Sequence, residues 1–151
     1  MTKAIICVAA LSLIDRSRFH LEDPVTRWLP YFRPRLADGR ERVITVRHQL
    51  THTAGLTYGF LEPPDGPYHR LGVSDGSAAS GLTREENLRR IASAPLLFEP
   101  GTGWHYSVAI DVLGAVIERV TDKTLPEAVL DIVTGPLGMD SVAFTVSPGT
   151  S

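Results

Sequence analysis

Ala109, Val112, Leu113, Val116, Ile117 and Val120 recur at spacings of three and four, a pattern that only an α-helix gathers onto one face. The spacing predicts a helix beginning near Ser107 with an apolar side that must be buried. A second run, Ala4 to Ile14, is apolar apart from Ser12. It reads as a helix from Lys3 to about Ile14, apolar on nearly all sides and therefore a core helix. A lysine ahead of a short apolar run also imitates a secretory signal peptide. Against that reading, Asp15-Arg16-Ser17-Arg18 ends the run without a small-residue cleavage site, and the run is too short to span a bilayer.

Between these helices the signals are local. Asp23-Pro24 predicts a short helix start, with Asp as N-cap and Pro at the first helical position, carrying Val25, Trp28 and Leu29 to Pro30. Asp38-Gly39 marks a turn. Thr45 can cap a brief helix over Val46 to Leu50, with Gly55 as its stop. The stretch from Thr57 to Leu82 is the least regular, a long loop retaining Tyr58, Phe60, Tyr68 and Leu71 for packing. Thr83-Arg84-Glu85-Glu86 is a capping box opening a helix to about Ala94. Leu96 to Phe98 reads as a short extended piece, and Pro126 can start a last helix ending at Gly135-Pro136. The total is about six helices and little strand, with no internal repeat.

A chain of 151 residues with 43% apolar and 21% charged residues has the balance of a water-soluble globular domain. Its net charge is −2, with fifteen basic residues spread along the chain. That spread argues against nucleic acid as a partner, and nothing points to a membrane. Cys7 is the sole cysteine, which excludes an internal disulfide and a cysteine-based zinc site.

Four sets of residues could carry chemistry. Gly72-Val73-Ser74-Asp75-Gly76 matches the Gly-x-Ser-x-Gly nucleophile elbow, which needs a buried strand leading in and a helix leading out. The flanks Asp65 to Arg70 and Ser77 to Gly81 fit neither. His48 and His52 stand four apart, as zinc-peptidase ligands do, but Gln49 replaces the glutamate such enzymes use as general base. A hydrogen bond near the turn at Gly55 is the better role for His52, and His105 in a turn carries little signal by itself. Lys3 and Tyr106 remain. In Ser-x-x-Lys, serine and lysine lie one helical turn apart, so the amine can take the hydroxyl proton. A tyrosine brought in from elsewhere can act as a second base beside an ammonium.

Five segments occur in order: Met1-Thr2-Lys3-Ala4-Ile5, Leu50-Thr51-His52-Thr53-Ala54-Gly55-Leu56, Phe98 to Ser107, Val112 to Glu118, and Pro136-Leu137-Gly138-Met139. Together they resemble the serine β-lactamase and penicillin-binding-protein superfamily, in its class C-like branch, most closely the family VIII carboxylesterases. The resemblance implies an α+β fold of the β-lactamase/transpeptidase type, with residues 1–151 forming a partial domain: the nucleophile helix and helical lobe, without the N-terminal and C-terminal strands. It implies that Lys3 and Tyr106 are catalytic and that neither a metal nor an organic cofactor is needed. Two residues beyond the tyrosine, β-lactamases of this branch usually carry Asn. Here Val108 stands there, which implies an ester-cleaving relative. The Gly-x-Ser-x-Gly match looks like one that family VIII esterases can carry without using it.

On this resemblance the nucleophilic serine belongs immediately before Met1, and the third family motif belongs on a C-terminal strand beyond the chain. The expectation is a fragment of a serine hydrolase working through an acyl-enzyme, a carboxylesterase on short acyl esters, inactive as it stands. Alternative readings are a β-lactamase or D-alanyl-D-alanine carboxypeptidase-like enzyme, and a non-catalytic remnant or ligand-binding protein. The implied ligand of the whole protein is a small-molecule ester or β-lactam-like compound. Self-association through an exposed apolar surface is expected of the lone lobe. A cytoplasmic location is favoured, a periplasmic one if a signal peptide lies upstream.

Overall fold

The computed structural model describes residues 2–76 and 80–144. Met1, residues 77–79 of the flank after Ser74, and residues 145–151, which include the terminal Pro-Gly-Thr-Ser stretch, lie outside the described residues. Among the described residues six α-helices follow in order: α1 (Thr2–Asp15), α2 (Val46–Leu50), α3 (Pro67–Leu71), α4 (Arg84–Ser93), α5 (Ala109–Thr121) and α6 (Leu125–Val129). Short 3₁₀ turns occupy Val25–Arg27 and Gly59–Leu61, and one wide π-helical turn, Leu130–Thr134, extends α6. Extended backbone pairs only at isolated bridges among the described residues, Pro24 with Thr45, Arg35 with Glu41 and Leu36 with Leu96.

Helix α5 is the axis of the molecule. Its periodicity predicts one buried face, yet every residue from Ala109 to Ile117 except Asp111 is buried. Ala109, Val112, Ala115 and Val116 pack into a cluster with Val25, Leu29, Phe32, Leu56, Tyr58, Leu88 and Ile91. Ile110, Leu113 and Ile117 face Ile6, Ala9, Ala10 and Leu13 of α1 and Leu125 and Val129 of α6. Each fully buried aliphatic side chain contributes about 1.5–3 kcal/mol, so α5 ties the two halves of the core together. Gly114 lets α6 come close, since a Cβ there would lie 3.1 Å from Leu125 Cδ2.

Local signals account for most helix ends. Thr45 caps α2 by accepting from the His48 amide, and His48 Nδ1 in turn accepts from the Thr45 amide. Histidine thereby fills the place Glu or Gln takes in an ordinary capping box. Thr83 with Glu86, and Thr124 with Glu127, form the ordinary version at α4 and α6. Ser107 opens α5, its hydroxyl accepting from the Ala109 amide at 3.2 Å. Asp122 ends it in the left-handed conformation at φ 54°.

Four expectations change. Asp23 is not an N-cap. Its side chain accepts from the His20 amide at 2.8 Å and its carbonyl from the Val46 amide at 3.0 Å, so it laces the first loop to α2. Gly55 does not stop α2, which ends at Leu50. It is required because φ is +84° and a Cβ would meet the Phe98 carbonyl oxygen at 2.5 Å. Helix α1 buries Ile6, Ala9, Ala10 and Leu13 but leaves Val8 and Leu11 exposed, because α5 and α6 reach only one side of it. The long loop also contains more structure than its composition indicates, with α3 started by Pro67 and closed by Gly72 at φ 65°.

Candidate active site

The segment 52–57 and the segment 97–108 run beside each other as a backbone seam. The Leu97 amide donates to Gly55 O, Gly101 to Thr53 O, His105 to His52 O and Val108 to Thr57 O, at 2.8, 2.8, 2.9 and 3.3 Å. Close approach at Gly55 makes this seam feasible. Two of the five sequence segments are thus zipped together, and Tyr58 and Tyr106 emerge beside each other with ring centroids 5.3 Å apart.

Lys3 reaches this pair from the first turn of α1. Its Nζ donates a 2.5 Å hydrogen bond to Tyr58 Oη. The 5.2 Å distance from Nζ to the Tyr58 centroid is close to that bond plus the reach from ring centre to hydroxyl. The ammonium therefore sits off the hydroxyl end of Tyr58, and the contact is a hydrogen bond in character. Nζ lies 5.4 Å from the Tyr106 ring centre. The structure brings Lys3 and Tyr106 together, but among the described residues the hydrogen-bond partner of Lys3 is Tyr58. In the sequence Tyr58 carries no signal beyond that of a packing aromatic; only its place at the end of the zipped segment marks it.

Electrostatics fix the resting protonation. Burial lowers the Lys3 pKa, but the Tyr58 hydrogen bond and the electrostatic pull of Tyr58, Asp111 and Tyr106 outweigh it, leaving the amine above its ordinary 10.5. Burial pushes the Tyr58 phenol up, against the opposing bond from Lys3. At neutral pH the pair is ammonium and neutral phenol, with the ammonium donating. Asp111, in the first turn of α5, lines an open recess with Ser74, Arg84 and Asn87. The protein around its carboxyl raises its pKa, opposed by the charges of Lys3 and Arg84.

His52 and His105 brace the tyrosine loop. His52 Nδ1 lies 3.3 Å from both the amide nitrogen and the hydroxyl of Ser107, while Thr57 Oγ1 and His105 Nε2 are 2.9 Å apart. Burial, and secondarily the Lys3 charge, hold His52 below its usual range. The open side of the site is aromatic. Tyr58 stacks on Phe60 at 4.8 Å, and the rings of Phe60, Trp104 and Tyr106 are each exposed to solvent.

The other candidates fall away on geometry. Ser74 follows α3 in irregular backbone, with no strand leading in. Asn87 clamps its backbone, accepting from the Ser74 amide at 2.7 Å and donating to its carbonyl at 2.9 Å. Its hydroxyl accepts from the Gly76 amide, an arrangement of a loop and not of an elbow. His48 spends Nδ1 on its cap, and His52 turns away in the left-handed conformation at φ 55°. The two histidines therefore do not share a helix face.

A seam carrying a tyrosine loop, an N-terminal lysine and a central α5 define the helical part of a β-lactamase/transpeptidase-like fold. The family model described as Beta-lactamase matches residues 1–150, and the chain belongs to that family. Esterase EstB of Burkholderia gladioli is 54% identical over 144 residues, covering 95% of this chain and 37% of the esterase. Among solved structures, EstCE1, a hydrolase with promiscuous acyltransferase activity, superposes with a TM-score of 0.89 at 51% identity, over 90% of this chain and 36% of that one. Simvastatin synthase from Aspergillus terreus gives 0.66 at 30% identity, over 91% and 36%. The chain thus spans little more than a third of these relatives' length. Among the described residues no helix is long and apolar enough to cross a membrane.

Proposed function

We propose that this chain supplies the lysine and tyrosines of a serine hydrolase that cleaves carboxylic esters of small molecules through an acyl-enzyme. The observation that carries the reading is the convergence of Lys3 Nζ, Tyr58 Oη and the Tyr106 ring at the N-terminal end of α1. A serine three positions before Lys3 would lie one turn away on the same helix face, where the lysine amine and the tyrosine hydroxyls could reach its Oγ. That position falls one residue ahead of Met1.

The catalytic roles follow from chemistry. The serine hydroxyl attacks the ester carbonyl and gives up its proton to the Lys3–tyrosine group. Tyr106 passes a proton to the departing alcohol and later takes one from the deacylating water. Because Lys3 rests as an ammonium, it must release its proton, or tyrosine must act as the acceptor while the ammonium stabilises the phenolate. Val108 supports esters over β-lactams, because β-lactamases of this branch usually carry Asn at that position and the residue here is apolar and buried. The relatives whose names state an activity include an esterase and an acyl-transferring hydrolase. Both activities fit a short-acyl carboxylesterase.

Three measurements test this. A fluorophosphonate probe followed by intact mass should leave the 151-residue chain unlabelled; a label mapped to Ser74 would restore the elbow reading. In the protein extended upstream and downstream, nitrophenyl butyrate should be cleaved and a chromogenic cephalosporin left nearly untouched. There, Tyr106→Phe should reduce kcat/KM by about 10²–10⁴-fold. Rapid cephalosporin turnover would overturn the ester preference.

A further inference from the structure

We infer that His52 is a positioning residue: its neutral imidazole, accepting from Ser107 through Nδ1, sets the place of the Tyr106 ring relative to Lys3. The inference rests on the reading of Tyr106 as the acyl-transfer tyrosine and adds the residue that orients it. Three observations converge. The Ser107 amide, the peptide immediately after Tyr106, lies 3.3 Å from His52 Nδ1. The Ser107 hydroxyl lies at the same distance and accepts from the Ala109 amide; because Nδ1 already accepts from the Ser107 amide, the hydroxyl is the donor in its contact with Nδ1. The imidazole also packs against the Tyr106 ring, with centroids 5.1 Å apart at 40°, and meets the edge of Trp104 at 6.2 Å.

A nitrogen that accepts from two donors must be unprotonated, so the ring's proton is on Nε2. Ser107 is 1% exposed, so without the imidazole its amide loses the acceptor it has inside the fold. The backbone seam fixes the loop's path, while the imidazole fixes the rotation of the peptide that aims Tyr106. His52 makes this reach from a left-handed backbone at φ 55°, a conformation that Asn tolerates and Gly adopts freely.

That difference separates a positioning role from a turn role. His52→Gly relieves the backbone and removes the acceptor; His52→Asn keeps the backbone and offers a carbonyl oxygen; His52→Ala loses both. In the 151-residue chain, hydrogen exchange of the Ser107 amide reads the bond directly, and cross-relaxation between Tyr106 ring protons and the Lys3 side chain reads the geometry. With about 1 kcal/mol for the net bond, His52→Gly should speed Ser107 exchange about fivefold and lose the Tyr106–Lys3 contact. Core amides of α5 should stay unchanged, and His52→Asn should stay within about twofold of the parent on the same scale. A Gly variant that matches or exceeds the parent while Ala fails would show a turn residue and overturn the inference. So would loss of core protection in all three variants, which marks a folding residue. In the extended enzyme, kcat should fall roughly ten- to a hundredfold in His52→Gly at unchanged KM, and recover in His52→Asn. A loop that responds without any change in ester cleavage would leave the positioning role standing and sink the assignment of Tyr106.

Discussion

Gln49 offers the sharpest test of the energetics. It lies on α2 at 0% exposure, and neither Oε1 nor Nε2 finds a hydrogen-bond partner among the described residues. Its neighbours on the helix, Val46 and Leu50, pack into the apolar cluster shared by α1, α5 and α6. An amide desolvated without compensation costs about 1–3 kcal/mol. Gln49→Leu removes that cost and adds apolar contact, while the branched shape takes back up to about 1.5 kcal/mol in repacking. The net expectation is a gain of about 1–2 kcal/mol, or roughly 3–6 °C in Tm for a chain of this size. Gln49→Met, unbranched like glutamine, isolates the polar contribution from shape and should give a similar gain. Urea unfolding followed by circular dichroism is the assay, and the midpoint should rise at constant m-value. If both variants are neutral or destabilising, Gln49 has a partner such as a buried water, and the reasoning fails.

The remaining predictions concern the site and the seam. Tyr58→Phe removes the hydrogen bond that holds Lys3 up while leaving it buried, so the Lys3 pKa should drop below its ordinary 10.5. With only two lysines in the chain, a side-chain NMR titration assigns it directly, and a value still above 10.5 would refute the role of Tyr58. Burial depresses His48, against Glu22, and depresses His52, aided by Lys3, below 6.5. The unfolded chain takes up protons that these folded histidines refuse. Stability should therefore be complete above about pH 6.5 and fall as pH drops toward the folded values, giving a lower urea midpoint at about pH 5 than at 7.5. Gly55→Ala combines a left-handed φ with a backbone clash at Phe98. It should cost about 2–4 kcal/mol by the same unfolding assay, and a cost under about half a kcal/mol would mean that the seam can shift freely.

Much of the fold is local and can be read without coordinates. The spacing of Ala109 to Val120 names α5, the Thr83–Glu86 box names α4, Thr45 names α2, and Pro126 marks the first turn of α6. The order of five segments also carries the family resemblance. Each of these signals lies within about four residues of the structure it specifies, the range over which helix periodicity and capping act. What depends on distant residues is not legible in this way. Asp23 carries the dipeptide signature of a cap, but the approach of Val46 claims its carbonyl. Gly55 has the look of a helix stop until the Phe98 carbonyl shows why no side chain fits.

The site divides along the same line. The sequence by itself singled out Lys3 and Tyr106 as the candidate chemical residues, because motif order and residue type are one-dimensional properties. Only the tertiary structure decided that Lys3 binds Tyr58 and that His52 braces Ser107, each across 55 positions. Those pairings arise where two loops zip along their backbones and deliver side chains to a helix end, and no periodicity encodes where a folded loop will land.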